Sequence, residues 1–158
     1  MEKPVILDIE NGFHSLVIAI GFDGVCVKDK FPRIGEDIGA AHVLRKLTDT
    51  GHRLLLYTSR IDIKHVNPGV RVGGIYDRFY LTQALLWFEM NKIPVWSVNI
   101  NPEVRSVNYS GKIHADLFID NKALGSPLVS PFNERPYIDW LYVDKWLDRA
   151  CYYWNGVK

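Results

Sequence analysis

The chain has 158 residues, 47% apolar and 23% charged, with a net charge of +1. That length suits one ordinary domain with its own core, and those proportions exclude a disordered chain. Lys, Arg, Asp and Glu are interspersed, so no basic footprint for nucleic acid or an anionic membrane is expected. Two cysteines, Cys26 and Cys151, make neither a disulfide framework nor a zinc pattern and read as small buried hydrophobes. The N-terminal apolar run meets Asp8 after four residues, and no run approaches the ~20 apolar residues of a membrane span, so the expected compartment is the cytoplasm.

In chain order, 4-PVILDIE-10 is a weak strand within an N-terminal extension over 1–15, and 16-LVIAIG-21 is a buried strand. The segment 25–37 is a loop too short for an inserted domain. A helix is predicted over 38–51, because Ala40, Val43, Leu44 and Leu47 fall on one face and Gly51 stands where a C-terminal cap belongs. A second strand, 53-RLLLYTS-59, leads into a glycine-bearing loop over 60–76 where a lid could lie. A second helix follows over 77–92, capped by Asp77, with Leu81, Ala84, Leu85 and Phe88 on its inner face. Strands 95-VWSVNI-100 and 115-ADLFID-120 come next, and a third helix over 139–154 aligns Val143, Trp146, Leu147 and Ala150. Strands alternating with helices predict one α/β domain, 1–158, on a mostly parallel, doubly wound sheet.

In open α/β sheets ligands collect at the carboxyl ends of the strands. Here those ends carry Gly21-Phe22-Asp23-Gly24, Thr58-Ser59-Arg60 and Asp120-Asn121-Lys122, with Lys112 just ahead of the last strand. Singly, an Asp there is a turn residue and a Thr a helix cap; their joint occurrence in this order is a stronger signal. The five histidines share no metal-ligand spacing, and satisfied or solvated histidines are expected.

On these residues the chain resembles the haloacid-dehalogenase superfamily, in particular its small phosphatase-like members without a large cap. The segment 17-VIAIGFDGV-25 is similar to the first motif, 54-LLLYTSR-60 to the second, Lys112 to the third and 117-LFIDNKALG-125 to the fourth, and 30-KFPRIGED-37 is similar to a subgroup of short members. The resemblance implies a Rossmann-like domain and Mg²⁺-dependent hydrolysis of phosphate monoesters. In its first motif, Asp-x-Asp-x-Thr/Val, the first Asp attacks phosphorus and binds Mg²⁺. Asp23 would then be the general acid and base, with its carbonyl on the metal; Thr58, Lys112 and Gly24 would hold the phosphoryl oxygens; Asp120 would complete the Mg²⁺ site.

Where the resemblance places the nucleophile, this chain has Gly21. Covalent catalysis needs a nucleophile, and the same change removes a metal ligand. The expectation is therefore a phosphatase fold that binds Mg²⁺ weakly and takes a phosphorylated ligand with impaired or absent turnover. Two alternatives stay open: an active Mg²⁺-dependent phosphatase with an altered mechanism, in which Asp23 activates water, and a non-catalytic interaction module. The five tryptophans and eight tyrosines, concentrated near the C-terminus, would make that module a homo-oligomer or the partner of another protein.

Overall fold

The computed structural model describes residues 15–63, 79–104 and 112–150. The weak strand over 4–10, Asp77, the loop beyond Ile63 and the last turn expected of the C-terminal helix lie outside the described residues. The elements run β1 (Val17–Ile20), α1 (Ala40–Asp49), β2 (Arg53–Leu56), α2 (Tyr80–Met90), β3 (Ser97–Val98), β4 (Leu117–Ile119), β5 (Leu128–Val129), β6 (Tyr137–Ile138) and α3 (Trp140–Arg149), with a short 3-10 turn at Pro102–Val104. The four strands of the main sheet are all parallel, in the order β3-β2-β1-β4. Every residue of β1 is buried, as expected of a central strand covered on both faces. Among the described residues there is no large cap, and the fold is Rossmann-like.

Alternation along the strands sorts the core. Ile18, Ile20, Leu54 and Leu56 face the larger cluster, to which α1 gives Val43, Leu44 and Leu47, α2 gives Ala84 and Phe88, and α3 gives Trp140, Val143 and Leu147. Val17, Ala19 and Leu55 face the smaller cluster with Ile113, beside Trp96 and Ala115. The topology explains this division. The helices that follow β1 and β2 both pack in the larger cluster, as right-handed crossovers stepping the same way along the sheet require, while Ile113, just ahead of β4, packs in the smaller one. The strand order therefore reverses beside β1, and a cleft opens there.

The helix ends have identifiable causes. At the end of α1, Gly51 adopts φ +101°, its N–H reaches Thr48 O at 3.0 Å, and His52 N reaches Leu47 O at 3.1 Å. These are the paired bonds of a Schellman cap. His52 is buried, and its Nδ1 accepts from Leu16 N at 3.2 Å, a satisfied histidine as expected. The first turn of α2 is capped from a distance: Asp62 accepts from Leu81 N and Thr82 N, both at 3.0 Å, and from Thr82 Oγ1 at 2.6 Å. Asp139 caps α3 through Tyr142 N at 3.0 Å.

Two features depart from the sequence reading. The inner stripe of α3 is Trp140, Val143 and Leu147, while Trp146 is 38% exposed. The antiparallel pair β5-β6 was not foreseen, and it has a clear place: Ile138 N donates to Gly24 O at 3.0 Å, fastening the pair to the turn after β1.

Candidate functional site

A cleft of about 320 Å³ lies at the carboxyl ends of β1, β2 and β4, lined by Gly21, Asp23, Val25, Asp29, Tyr57, Thr58, Ser59, Asp120, Asn121 and Lys122, among others. Of the residues expected there, Gly21, Asp23, Thr58 and Asp120 are brought together. Lys112 is not. It is exposed, and its neighbour Ile113 packs on Val17, Ala19 and Leu55, on a face of the sheet rather than at its carboxyl edge. The lysine on the cleft wall is Lys122. A separate cleft of about 230 Å³ between β4 and α3 has a lining dominated by aliphatic and aromatic side chains such as Leu117, Phe118 and Trp146, and offers little to ionic chemistry.

Asp23 is engaged on both oxygens. Arg60 donates from Nε to Oδ2 at 2.7 Å and from Nη2 to Oδ1 at 2.6 Å, a two-pronged ion pair. The Arg60 side chain is fully buried, and it also donates to the carbonyls of Pro32 at 3.2 Å and Arg33 at 2.8 Å. Its guanidinium lies over the rings of Phe22 and Phe31, 5.0 and 5.2 Å from their centroids. To serve as general acid, Asp23 would have to take a proton on an oxygen that already accepts from Arg60. The sequence places Arg60 at a strand end two residues after Thr58, but gives no sign that it pairs with Asp23.

The turn after β1 is built from the inside. Gly24 has φ +76°, which favours glycine, and a Cβ there would stand 2.2 Å from Asn121 Nδ2 and displace that amide. Its N–H donates to Val27 O at 2.8 Å. It is therefore spent within the turn rather than offered to a phosphoryl oxygen, which corrects the expected role of Gly24. Trp140 Nε1 reaches Val25 O at 2.6 Å, so the start of α3 holds the same turn. Cys26 donates from Sγ to Gly21 O at 3.1 Å; burial, with the nearby charge of Asp23, pushes its thiol well above the ordinary range.

Thr58 is positioned by Asn99, whose side-chain amide accepts from Thr58 N at 2.8 Å and donates to Thr58 O at 2.7 Å. Thr58 Oγ1 accepts from Arg60 N at 3.1 Å, which leaves its hydroxyl proton to donate. Asp29 also lines the cleft and pairs with Arg135 at 2.8 Å. Beside that pair, a hydrogen bond from Lys28 to Glu134 at 2.7 Å raises the lysine and lowers the carboxyl from their usual values.

The donor set tests whether Mg²⁺ fits. A magnesium ion needs hard oxygens in near-octahedral array, usually from one or two carboxylates plus water or phosphate. Gly21 supplies no carboxylate. Asp120 Oδ1 already accepts from Lys122 N at 2.7 Å, and its carbonyl accepts from Ser126 Oγ at 2.6 Å. Among the described residues no group of three His, Cys, Asp or Glu side chains is placed to hold a metal ion. Among the described residues that leaves Asp120 as the cleft carboxylate with no arginine partner, a thin donor set for magnesium.

A scan against protein-family models gives no match, and neither does a search of curated proteins. Among solved structures, the chain is similar to one described as a conserved protein coded by a locus of Bacteroides thetaiotaomicron, at 27% identity over 85% of this chain and 91% of that one, with a TM-score of 0.61. The two share a fold. That description names no activity, so chemistry has to be argued from the cleft itself.

Proposed function

We propose that this chain is a haloacid-dehalogenase-type phosphatase fold that binds a phosphate-bearing ligand at the ends of β1, β2 and β4 without efficient hydrolysis. The observation that carries the reading is Gly21 at the tip of the central strand, on the wall of a cleft that retains Asp23, Thr58 and Asp120. Removing a central catalytic group from another hydrolase costs about a millionfold in turnover, equivalent to ~8 kcal/mol of barrier. What remains suits binding. The Thr58 hydroxyl and the Lys122 ammonium supply donors, while the charges of Asp23 and Asp29 are matched by Arg60 and Arg135. Among the described residues no helix is long and apolar enough to cross a membrane. The reading places the protein in the cytoplasm, where Cys26 stays a thiol.

The test pairs turnover with binding. With an aryl phosphate and Mg²⁺ the unmodified chain is expected to show no hydrolysis above background. Calorimetry with inorganic phosphate is expected to show binding that Lys122→Ala together with Thr58→Val removes. Robust Mg²⁺-dependent turnover abolished by Asp23→Ala would establish the altered-mechanism alternative instead, and absence of phosphate binding would sink the ligand half of the reading. The interaction-module reading has one observation in its favour, the exposure of Leu141, Tyr142 and Trp146 along α3. Light scattering that shows a concentration-independent monomer removes the self-association form of it.

A further inference from the structure

We infer that Tyr57 and Phe118 form an aromatic ledge over the tip of β1, and that the ligand of the neighbouring cleft is a phosphate monoester of a planar aromatic ring, which lies against Tyr57 while its phosphate takes the Thr58 and Lys122 donors. The register places the ledge. Leu56 is level with Ile20 and Tyr57 N donates to Ile20 O at 2.8 Å, so Tyr57 stands one step further along, beside Gly21; on the other side Phe118 is level with Ala19. Alternation puts Tyr57 on the same face as Leu55, the face to which Ala19 belongs. β2 and β4 flank β1, so their backbones stand about 9.5 Å apart. The two ring centroids are nevertheless 6.3 Å apart, at an interplanar angle of 80°. The rings lean together there because β1 offers only the small Ala19 and Gly21 beneath them.

Neither ring is buried by this contact. Tyr57 is 46% exposed and Phe118 44%, although aromatic side chains contribute most when covered. A single exposed aromatic needs no explanation; a touching pair, one member of which lines a cleft rich in polar groups, does. Tyr57 is next in the chain to Thr58, so ring and hydroxyl flank the same strand tip. The cleft holds about 320 Å³, at the lower end of the range for small-molecule sites, which leaves room for more than a phosphoryl group. Edge-to-face packing on Phe118 orients the Tyr57 ring before any ligand arrives. Resting on the phosphate-binding reading, the inference adds what the phosphate is attached to. An aliphatic ester would forgo the ring contact, which for an aromatic pair is worth about 2–12-fold in affinity beyond the area it buries.

Calorimetry on the full chain with phenyl phosphate, cyclohexyl phosphate and inorganic phosphate, with chelator present to prevent turnover, tests the ledge. The two esters are close in size and apolar area and differ in the planar ring. The native chain is expected to bind phenyl phosphate about 2–12-fold more tightly than cyclohexyl phosphate. Tyr57→Phe is expected to keep that preference, and Tyr57→Leu, which retains apolar bulk, to abolish it. Because the readout is a ratio, a general loosening of the site weakens both esters alike and does not imitate the expected result. Equal affinity of the native chain for the two esters, or a preference that survives Tyr57→Leu, overturns the inference, while binding of inorganic phosphate in the same series keeps the phosphate reading. Binding of none of the three sinks the phosphate reading, and the ring subsite with it.

Discussion

Replacing Arg60 with methionine keeps most of the side chain's bulk and removes its charge and all of its donors. The structure sets the scale of the loss. Asp23 loses two short hydrogen bonds while its side chain is only 18% exposed, and the carbonyls of Pro32 and Arg33 lose the donors that tie the loop after β1 to the end of β2. Breaking one side of a buried ion pair costs about 3–5 kcal/mol, because the remaining charge has neither partner nor full solvation. For a chain of this size that is a fall of about 6–20 °C in the unfolding midpoint. Urea denaturation followed by circular dichroism measures it, with an unchanged slope showing that the unfolded reference is the same.

The control is the second mutation. In Arg60→Met the penalty is mainly an uncompensated carboxylate, so adding Asp23→Asn should recover part of it. The cycle should return a coupling of about 2 kcal/mol, within the range seen for residues that share a hydrogen-bonded pair. If Arg60→Met costs less than about 1 kcal/mol, or if the two changes simply add, then Asp23 is not held by Arg60 in solution and remains available for proton transfer. That result would also remove one of the two structural grounds for reading the cleft as non-hydrolytic.

Three further outcomes follow from the geometry. Gly24→Ala places a Cβ 2.2 Å from Asn121 Nδ2 at φ +76°, whereas Gly125→Ala, at φ +83°, meets nothing within 4 Å. Because the Asn121 amide must swing off Pro136 O, the first should cost about 0.5–1.5 kcal/mol more than the second in urea, and equal costs would show that backbone strain alone matters. Asp62→Ala removes the cap on α2 and should cost about 0.5–2 kcal/mol, seen as faster amide exchange at Leu81 and Thr82; unchanged exchange there would refute the long-range cap. Burial raises the Cys26 thiol above its ordinary 9.0, with Asp23 adding to the effect. A raised folded-state value means that the contribution is complete below pH 9 and is lost above it as the unfolded chain ionises. The urea midpoint should therefore fall from about pH 9 upward more steeply in the native chain than in Cys26→Ala, and parallel profiles would contradict it.

The sequence disclosed what is local and periodic. β1 is a run of apolar residues ended by glycine, and α1 places Val43, Leu44 and Leu47 at helical spacing ahead of Gly51, so both stand where they were expected. Contacts between distant segments left no such mark. The cap on α2 comes from Asp62, 19 residues before Leu81, and the Arg60 clamp spans 37 residues. Lys112 and Lys122 flank the same strand, and only the direction of β4 decides which of them reaches the carboxyl edge. In α3 the stripes through Trp140 and through Trp146 share Val143 and Leu147, so periodicity cannot choose between them; the indole bond from Trp140 to Val25 does. The strands β5 and β6 have two residues each, too few to show any alternation.

How the cleft balances its charge joins these observations. Where a divalent cation sits at strand ends, its charge offsets the carboxylates that hold it. Here the protein does this itself: Arg60 takes Asp23, Arg135 takes Asp29, and Asp120 is left with a backbone N–H from Lys122. On the reading proposed above, a ligand at the tip of β1 would meet the Thr58 hydroxyl and the Lys122 ammonium in a cleft where Asp23 and Asp29 are already matched by arginines.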